Sequence, residues 1–374
     1  METMVRRMAG EPEGEPRLRF AAAPLVAIWE VTRACDLACI HCRASAVPTR
    51  DPQELTTQQG VDLLREIKRF GKPLLVFTGG DPLKRPDLFE LIAAARDLGL
   101  TSFLSPSGTP LLTHAALRQA RQSGLTGVSI SLDGSTEALH DSIRGVPGSF
   151  RWCIDGAAAA VGLRLGLQIN TTISRRNLED LPAMAEMVAA LEARRWTLFL
   201  LVPTGRALAS HQISPQECER VFEWLAEIAP HSRFRIKTTE GPHFRRVALQ
   251  RGLGAEGLGS RGGRFVSSMS DGSGFVFISA RGEIFPSGFL PMPAGNVKRD
   301  SLVRVYREHP LFLALRDSDR LKGRCGRCEF RRICGGSRAR AYAATGDYLE
   351  EDPACAYQPP RGTAPSDGAI RCTA

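Results

Sequence analysis

The stretch TRACDLACIHCRAS, residues 32–45, places three cysteines, Cys35, Cys39 and Cys42, within eight positions. It follows directly on LVAIWEVT, residues 25–32, a short apolar run that predicts a buried strand. Three thiolates are one ligand short of a closed tetrahedral metal site. The loop therefore predicts a metal centre with one open position, at the end of the first strand of the fold.

Short apolar runs alternate with helix-period segments from residue 25 onward. The runs that predict strands cover residues 25–32, 73–80, 100–107, 126–133, 164–172 and 196–203. Six strand–helix units predict an α/β fold with a parallel sheet and outer helices, because parallel strands need crossover connections. Fewer than eight units indicate a partial (β/α)6 TIM-like barrel or an open sheet. In either form the active site lies at the carboxyl ends of the strands, where the cysteine loop falls.

The rhythm of strands and helices changes after residue 235. We predict a flexible tail over 1–19, the barrel over 20–235, a linker or substrate-side segment over 236–265, a small loop-rich domain over 266–360 and a second tail over 361–374. Within the small domain, FVFISARGEIFPSGF reads as a hairpin that turns at Arg281 and Gly282.

Composition excludes several classes of protein. The net charge is +9, but the 49 Lys and Arg residues are scattered, which does not favour nucleic-acid binding and is compatible with an anionic substrate. No run is long and apolar enough for a membrane span, and the N-terminus does not resemble a signal peptide. We therefore expect a cytoplasmic protein, in which ten cysteines are metal ligands or free thiols rather than disulfides.

Three alternatives exist for the first cysteine group: buried structural thiols, a zinc site or an iron–sulfur cluster. Zinc sites usually combine C-x2-C with two further ligands elsewhere. The spacing C-x3-C-x2-C puts three thiolates on one loop, which suits three corners of an iron–sulfur cube. The fourth iron then remains free for a ligand that is not protein.

CDLACIHC resembles the signature of the radical S-adenosylmethionine (SAM) enzymes. His41 takes the position where an aromatic ring commonly lies beside the adenine. The resemblance implies a 4Fe-4S cluster on Cys35, Cys39 and Cys42, whose free iron binds the amino and carboxylate groups of the methionine moiety. It also implies a 5′-deoxyadenosyl radical that abstracts hydrogen from a substrate.

Gly79, Gly80 and Asp81 follow the second predicted strand and resemble the GGEP motif of this family, with Asp in place of the usual Glu. The resemblance implies that they bind the methionine amino group. Taken alone, Gly-Gly-Asp-Pro after a strand is also an ordinary turn.

SISLDGSTEALHDSIRGVPGSF, residues 129–150, resembles the corresponding stretch of the enzymes that modify peptides and haem. By analogy Ser131 and Asp133 lie near the ribose or the substrate, and Arg144 pairs with the methionine carboxylate, unless it is a solvated helix charge. Further candidates for SAM binding are the polar residues at the ends of the third and fifth strands, Ser105, Asn170 and Thr171.

A second cysteine group contains Cys325, Cys328, Cys334 and Cys355. Four ligands on a loop-rich module fit either zinc or a fully ligated iron–sulfur cluster. Downstream of a radical SAM core the pattern resembles the SPASM/Twitch extensions, which implies an auxiliary 4Fe-4S cluster. Ser287 stands where full SPASM modules carry a further cysteine, so we expect one auxiliary cluster.

The stretch 335–355 resembles the radical SAM enzymes of haem d1 and alternative haem biosynthesis. We therefore expect an enzyme that modifies a large substrate, foremost a tetrapyrrole carboxylate side chain. A maturase of ribosomally made peptides is the alternative, and a non-enzymatic iron–sulfur or zinc protein is the third class. His243 and Arg245 are candidates for substrate binding. We also expect a reduced flavodoxin or ferredoxin as electron donor and a monomeric state.

Overall fold

The structure, a computed structural model, describes residues 20–253 and 269–360. The tails 1–19 and 361–374 and residues 254–265 of the predicted linker lie outside the described residues. The strands are β1 (Val26–Glu30), β2 (Leu74–Thr78), β3 (Ser102–Leu104), β4 (Gly127–Ser131), β5 (Gly166–Ile173), β6 (Arg195–Leu200), β7 (Arg235–Thr239), β8 (Phe275–Ile278), β9 (Glu283–Phe285) and β10 (Gly295–Asn296).

The helices lie mainly between successive strands. They are α1 (Thr57–Lys68), α2 (Leu88–Asp97), α3 (His114–Gln122), α4 (Glu137–Arg144), α5 (Ser149–Gly162), α6 (Leu181–Ala190), α7 (Pro215–Ile228), α8 (Phe244–Gln250), α9 (Leu302–Glu308), α10 (Pro310–Arg316), α11 (Gly323–Arg327) and α12 (Arg338–Thr345). Thr56 begins α1 and Ser214 begins α7 with reciprocal side-chain and backbone hydrogen bonds, which satisfy N–H groups of the first turn.

All ten strands form one sheet in the order β10-β9-β8-β1-β2-β3-β4-β5-β6-β7. The first seven follow one another in parallel, and β7 and β8 do not pair, so the barrel is open between them. This confirms the predicted α/β fold with a partial, TIM-like barrel. The carboxyl ends of β1–β7 meet at one edge, and the Cys35–Cys42 loop follows β1 there.

Two features of the sheet differ from the expectation of six strands. β7 is a seventh parallel strand, which lacks an apolar run because only Ile236 of its five residues is buried. β8 pairs in parallel with β1, so the predicted hairpin extends the barrel sheet on its other side. The hairpin itself is confirmed: β8 and β9 are antiparallel, and Gly282 takes a φ of 90° in the turn.

One hydrophobic core runs through the barrel and into the region predicted as a separate domain. Trp29 of β1, Ile278 of β8 and Tyr306 of α9 are all fully buried members of that core. The boundary predicted between residues 235 and 236 coincides with the start of β7. The division into two domains stays a prediction.

A search for membrane spans covered the described residues alone. Among them, no helix has both the length and the hydrophobicity that crossing a bilayer requires.

Candidate active site

The loop after β1 brings its three cysteines into a compact, hydrogen-bonded turn. Its backbone is held by bonds from the Cys35 N–H to the Val47 carbonyl (2.8 Å) and from the Cys42 N–H to the Cys39 carbonyl (3.3 Å). Each sulfur also lies near an N–H donor: Leu37 N at 3.4 Å from Cys35 Sγ, Ala46 N at 3.4 Å from Cys42 Sγ, and Arg144 Nη1 at 3.8 Å from Cys39 Sγ. Such donors suit thiolate ligands.

Burial opposes the ionised form of these thiols. It raises the pKa of Cys35 and of Cys39, although the nearby Arg144 guanidinium lowers the pKa of Cys39 in part. A buried thiolate is stabilised by the positive charge of a metal centre. The loop therefore has the donor set and the environment of a three-cysteine iron site.

Gly79 and Gly80 pack directly on the cysteine loop. A Cβ on Gly79 would lie 2.5 Å from the Thr32 carbonyl oxygen, and one on Gly80 would lie 2.6 Å from the carbonyl oxygens of Arg33 and Ala34. The Gly80 N–H donates to the Thr32 carbonyl at 2.8 Å. Both positions exclude a side chain, so the two glycines bring the β2 loop against the cysteine loop.

Asp81 is fully buried and its carboxylate is already engaged. Oδ2 accepts from Thr109 Oγ1 at 2.7 Å, and Oδ1 accepts from the Leu83 N–H at 3.1 Å. Burial raises the pKa of this carboxyl group above its ordinary value. The Asp81 side chain thus joins the loops after β2 and β3. Any contact with SAM would come from the backbone of this segment.

Asp133 is the centre of the polar network beside the cysteine loop. Its Oδ2 lies 2.7 Å from His41 Nε2 and 2.7 Å from Arg144 Nη2, and its Oδ1 accepts from the Thr172 N–H at 2.7 Å. Burial alone would raise the pKa of Asp133, but Arg144 and His41 hold it well below its ordinary value. The structure thus brings together three residues that the sequence placed near SAM.

His140 supports this network and was not identified from the sequence. Its Nδ1 accepts from the Asp133 N–H at 3.2 Å, which requires a neutral ring with the proton on Nε2. Burial, with the nearby Arg144 charge, lowers the pKa of His140 to about 4, so this tautomer is stable at neutral pH. In the sequence, a single His on an otherwise apolar helix face does not indicate that it will bond to the backbone of Asp133.

The strand-end candidates divide between the two faces of the sheet. Asn170 Oδ1 accepts from Gln168 Nε2 at 2.7 Å, on the face shared with Ser131. Thr171 points the other way: its buried hydroxyl donates to the Leu132 carbonyl and accepts from Trp196 Nε1. Thr171 therefore lies on the opposite face of the sheet from Asn170, because successive side chains of a strand alternate.

Ser105 lies on the inner face of the barrel in the same register as Ser129. Its Oγ donates to the Ser129 carbonyl oxygen at 3.4 Å, which adds a side-chain hydrogen bond between the third and fourth strands. Its proposed contact with SAM stays a prediction.

The loop after β6 holds the cysteine loop from the opposite side, which the sequence analysis missed. Arg206 donates from Nε to the Cys39 carbonyl (3.1 Å), from Nη1 to the Ala46 carbonyl (3.3 Å) and from its N–H to the Cys42 carbonyl (2.9 Å). Gly205 has a φ of 62°, and a Cβ there would lie 2.3 Å from the Cys42 carbonyl oxygen. These two residues fit the β6 loop closely to the cysteine loop.

Two buried nitrogens near the cysteine loop retain unused donors. Arg144 Nε and Arg206 Nη2 have no hydrogen-bond partner among the described residues. Buried donors of this kind are normally satisfied, so both are available to a bound polar group. They match the anionic and polar groups of the cofactor that the motif implies, and the site therefore fits a 4Fe-4S cluster with SAM.

Cys325, Cys328, Cys334 and Cys355 line a single cavity. Each sulfur lies near a backbone N–H, those of Asp352, Phe330, Gly336 and Tyr357 in the same order. Among the described residues, no group of three or more Cys, His, Asp or Glu side chains is arranged to hold a single metal ion. Burial raises the pKa of all four thiols.

A buried ionic network joins this cavity to the barrel. Arg340 donates to both carboxylate oxygens of Asp352 (2.8 Å each) and to the Glu240 carbonyl oxygen at the end of β7 (2.6 Å). Ser337 Oγ contacts the Glu240 carboxyl group, whose pKa burial raises well above its ordinary value. The auxiliary loops are thereby fixed to the barrel edge.

The two residues predicted to bind substrate lie within this packed region instead. His243 is 1% exposed, packs edge-on against Phe222 at 4.7 Å, and has no hydrogen-bond partner on either ring nitrogen among described residues. Burial lowers its pKa to about 3, so the ring is neutral. Arg245 donates to the carbonyl oxygens of Ile333 and Met269. Their positions favour a structural role, because His243 is inaccessible to a large substrate.

Ser287, which stands where a further cysteine was expected, closes a turn. Its Oγ accepts from the N–H groups of Phe289 (3.2 Å) and Leu290 (3.3 Å). The hydroxyl is therefore used by the backbone of its own loop.

A larger pocket adjoins the cysteine loop on its other side. It has a volume of about 280 Å³ and lies between that loop and the β8–β9 hairpin. Arg33, Arg43 and Arg281 line it together with the rings of Phe277 and Phe285. Arg43 pairs with the buried Glu30 at 2.6 Å and lies 4.7 Å from the centre of the Phe277 ring. Cationic and aromatic groups thus share one concave surface.

Comparisons with known proteins agree with this geometry. Residues 29–188 match the model of the radical SAM superfamily. AdoMet-dependent heme synthase of Methanosarcina barkeri is 39% identical over 90% of this chain and 97% of its own length. Pre-heme d1 synthase of Dinoroseobacter shibae is 31% identical over 91% of this chain and 88% of its own.

Solved structures show the same fold at lower identity. The crystal structure of Streptococcus suis SuiB bound to its precursor peptide SuiA gives a TM-score of 0.69 at 17% identity, covering 90% of this chain and 76% of that one. The three-cysteine loop and the partial barrel define a radical SAM enzyme. This chain belongs to the radical SAM superfamily, whose members bind a 4Fe-4S cluster and SAM, and the three-cysteine loop lies within the matched residues.

Proposed function

We propose that this enzyme uses SAM-derived radical chemistry to modify a carboxylate side chain of a tetrapyrrole. The observation that carries the proposal is the pocket next to the cysteine loop, where three arginines and two phenylalanine rings line one space together with Glu30 and Glu283. A tetrapyrrole combines a flat aromatic ring with carboxylate side chains. Aromatic rings stack on such a plane, and guanidinium groups bind carboxylates in pairs of hydrogen bonds. The heme synthase relative, similar over almost its whole length, supports this substrate class.

When bound, the cluster and SAM supply a 5′-deoxyadenosyl radical that removes a hydrogen atom from the substrate. The residues of the chain position that chemistry. Asp133, through Arg144 and His41, orders the wall beside Cys39, while Arg206 holds the cysteine loop from the β6 side. Arg43, which follows Cys42 and pairs with Glu30, lies on the wall of the pocket, so a carboxylate bound in the pocket lies beside the cluster loop.

A second 4Fe-4S cluster at Cys325, Cys328, Cys334 and Cys355 is part of the proposal. Support comes from four thiols around one cavity, each with a backbone N–H donor. In a cluster each cysteine binds a different iron. With all four corners occupied by cysteine, such a cluster transfers electrons, tunes potential or stabilises the loops. Reduced flavodoxin or ferredoxin is the expected electron donor, and the enzyme is expected to act as a monomer.

The test is anaerobic turnover of the reconstituted enzyme with SAM and dithionite. The probe is iron-coproporphyrin III, the compound that appears in the name of one relative, Fe-coproporphyrin III synthase. We expect a tetrapyrrole product of altered mass, detected by mass spectrometry, and formation of 5′-deoxyadenosine that increases when the porphyrin is added. Cys39→Ala is the matched control and forms neither product.

Two results would contradict the proposal. One is that the porphyrin is recovered unchanged and does not stimulate 5′-deoxyadenosine formation. The other is that a ribosomal precursor peptide is modified instead, which would make the chain a peptide maturase. Neither outcome affects the assignment of Cys35, Cys39 and Cys42 to the radical SAM cluster.

A further inference from the structure

The inside of the barrel contains a cation that has no anionic partner. Lys237 is the middle residue of β7. Its side chain is half-buried and lines the space inside the barrel. Among the described residues, its ammonium group has no hydrogen bond or ion pair and its one recorded contact is the ring of Phe275, 5.3 Å away. A half-buried cation that has no acidic partner attracts an anion that enters the same interior space.

The groups around Lys237 strengthen this conclusion. Its charged neighbours are Arg195 and Arg245, and burial together with these two cations lowers the pKa of Lys237 to about 8. Arg195 itself is bonded to the neutral Gln168, at 3.4 Å. No carboxylate of the described residues compensates this group of positive charges.

A buried hydroxyl next to Lys237 is also unsatisfied. Thr197 and Lys237 are paired in the parallel register of β6 and β7, so their side chains share one face. Thr197 Oγ1 is buried and has no hydrogen-bond partner among the described residues. An ammonium group and a hydroxyl group, both without acceptors, are therefore neighbours on one surface, and both can donate to one anionic oxygen.

This surface faces the same interior as the SAM and substrate residues. Register places Ser131, Asn170, Thr197 and Lys237 in one row across β4–β7. On the opposite edge of the barrel, Lys237 lies over Phe275, and Arg43 lies over Phe277, two residues further along β8. Residues i and i+2 share a face, roughly 7 Å apart. Lys237 therefore lies about one such step deeper than the arginine-lined pocket.

We propose that Lys237, with Thr197 and Arg195, is a second carboxylate-binding site, which holds one carboxylate side chain of the substrate inside the barrel while another lies at the Arg43 pocket. The inference rests on the proposed tetrapyrrole substrate. Two cationic positions on one aromatic strip match a flat ring with several carboxylates at its edge. The deeper position selects how the ring is oriented towards the cluster loop.

The test compares binding of iron-coproporphyrin III and of its tetramethyl ester by spectroscopic titration. Lys237→Met is expected to weaken binding of the free acid about tenfold or more, the usual effect of losing a charge-assisted hydrogen bond. Lys237→Arg keeps the charge and is expected to remain within about threefold. The ester binds wild type and Lys237→Met equally. Lys72→Met, at an exposed lysine just before β2, is the matched control and changes neither ligand.

Two further measurements separate binding from structure. Lys237→Met removes an uncompensated charge, so its apoprotein is expected to unfold at a higher urea concentration than wild type, while a purely structural lysine would give the opposite shift. Affinity for SAM, measured by calorimetry, is expected to stay within about twofold, because the carboxylate bound here belongs to the substrate.

A pH titration of the wild-type enzyme needs no variant. Only the protonated amine attracts a carboxylate, so porphyrin affinity is expected to be highest below about pH 8 and to fall as pH rises through that value. In Lys237→Arg the affinity is expected to stay level across the same range. Equal porphyrin binding by wild type and Lys237→Met would overturn this inference alone. Absence of porphyrin binding to wild type would overturn the proposed substrate and this site together.

Discussion

Asp133 shows how one residue organises the surroundings of the cluster loop. Its carboxylate is fully buried, and it receives donors from a loop residue (His41), a helix residue (Arg144) and a strand N–H (Thr172). Such a charge is stable in the interior because it is both paired and hydrogen-bonded. The side chains of this network therefore depend on each other, and we expect single substitutions to affect folding as well as binding.

Substitution of Arg144 tests this dependence. Arg144→Met leaves the buried Asp133 carboxylate without its main partner, and we expect a loss of about 3 kcal/mol in the free energy of unfolding of the apoprotein. The double variant Arg144→Met, Asp133→Asn removes both charges and is expected to recover more than half of that loss. Urea unfolding under anaerobic conditions measures both values. If the two substitutions destabilise additively, the pair is not the organising contact described above.

At the scale of elements, loops from different strands are fitted together around the cysteines. The β2 loop approaches through Gly79 and Gly80, and the β6 loop through Gly205 and Arg206. These approaches are close enough that no side chain is tolerated at the glycines. The helices outside the sheet set the positions of the loops, and the glycines allow the loops to meet.

Gly205→Ala is therefore expected to detach the β6 loop from the cysteine loop. The added Cβ would lie 2.3 Å from the carbonyl oxygens of Cys42 and Arg43, and the φ of 62° disfavours alanine. We expect about half of the cluster iron to be lost, with the circular dichroism spectrum unchanged. Gly162→Ala, at the end of α5 with no atom within 4 Å of the new Cβ, is the control and keeps full iron content. Normal iron in Gly205→Ala would show that the β6 loop does not support the cluster.

Across the whole molecule, two cysteine sites are attached to one sheet. The first follows β1, and the second is fixed to the end of β7 by Arg340, Asp352 and Glu240. Because β8 pairs with β1, the region with the second site lies beside both edges of the open barrel. The arginine-lined pocket occupies the space between the cluster loop and the hairpin.

This arrangement predicts two clusters with separable roles. Reconstituted enzyme is expected to hold about eight irons per chain, and replacing Cys35, Cys39 and Cys42 by Ala is expected to remove about half. Cys328→Ala is expected to keep slow formation of 5′-deoxyadenosine without substrate, yet to lose substrate turnover. Iron analysis and product chromatography measure this, with circular dichroism as the check on folding, because metal binding stabilises loop-rich modules. Stoichiometric zinc in the second site would contradict the assignment.

The sequence alone determined the parts whose signals are local. Cysteine spacing identified both metal sites as candidates, six apolar runs gave β1–β6, and the turn at Gly282 gave the hairpin. Spacing along one loop is set by covalent geometry, and a buried strand shows its burial in its own composition, so neither needs a distant residue. The resemblance of CDLACIHC to the radical SAM signature then indicated the chemistry of the first site.

Only the tertiary structure decided which distant residues meet. It paired β8 with β1, added the polar strand β7, turned Thr171 away from the site and brought His140 and Arg206 to it. Lys237 reads as an ordinary surface lysine in the sequence, and its lack of an acidic partner appears only once the barrel encloses it. Strand register and long-range contact decide these features, because burial and electrostatic pairing depend on residues far apart in the chain.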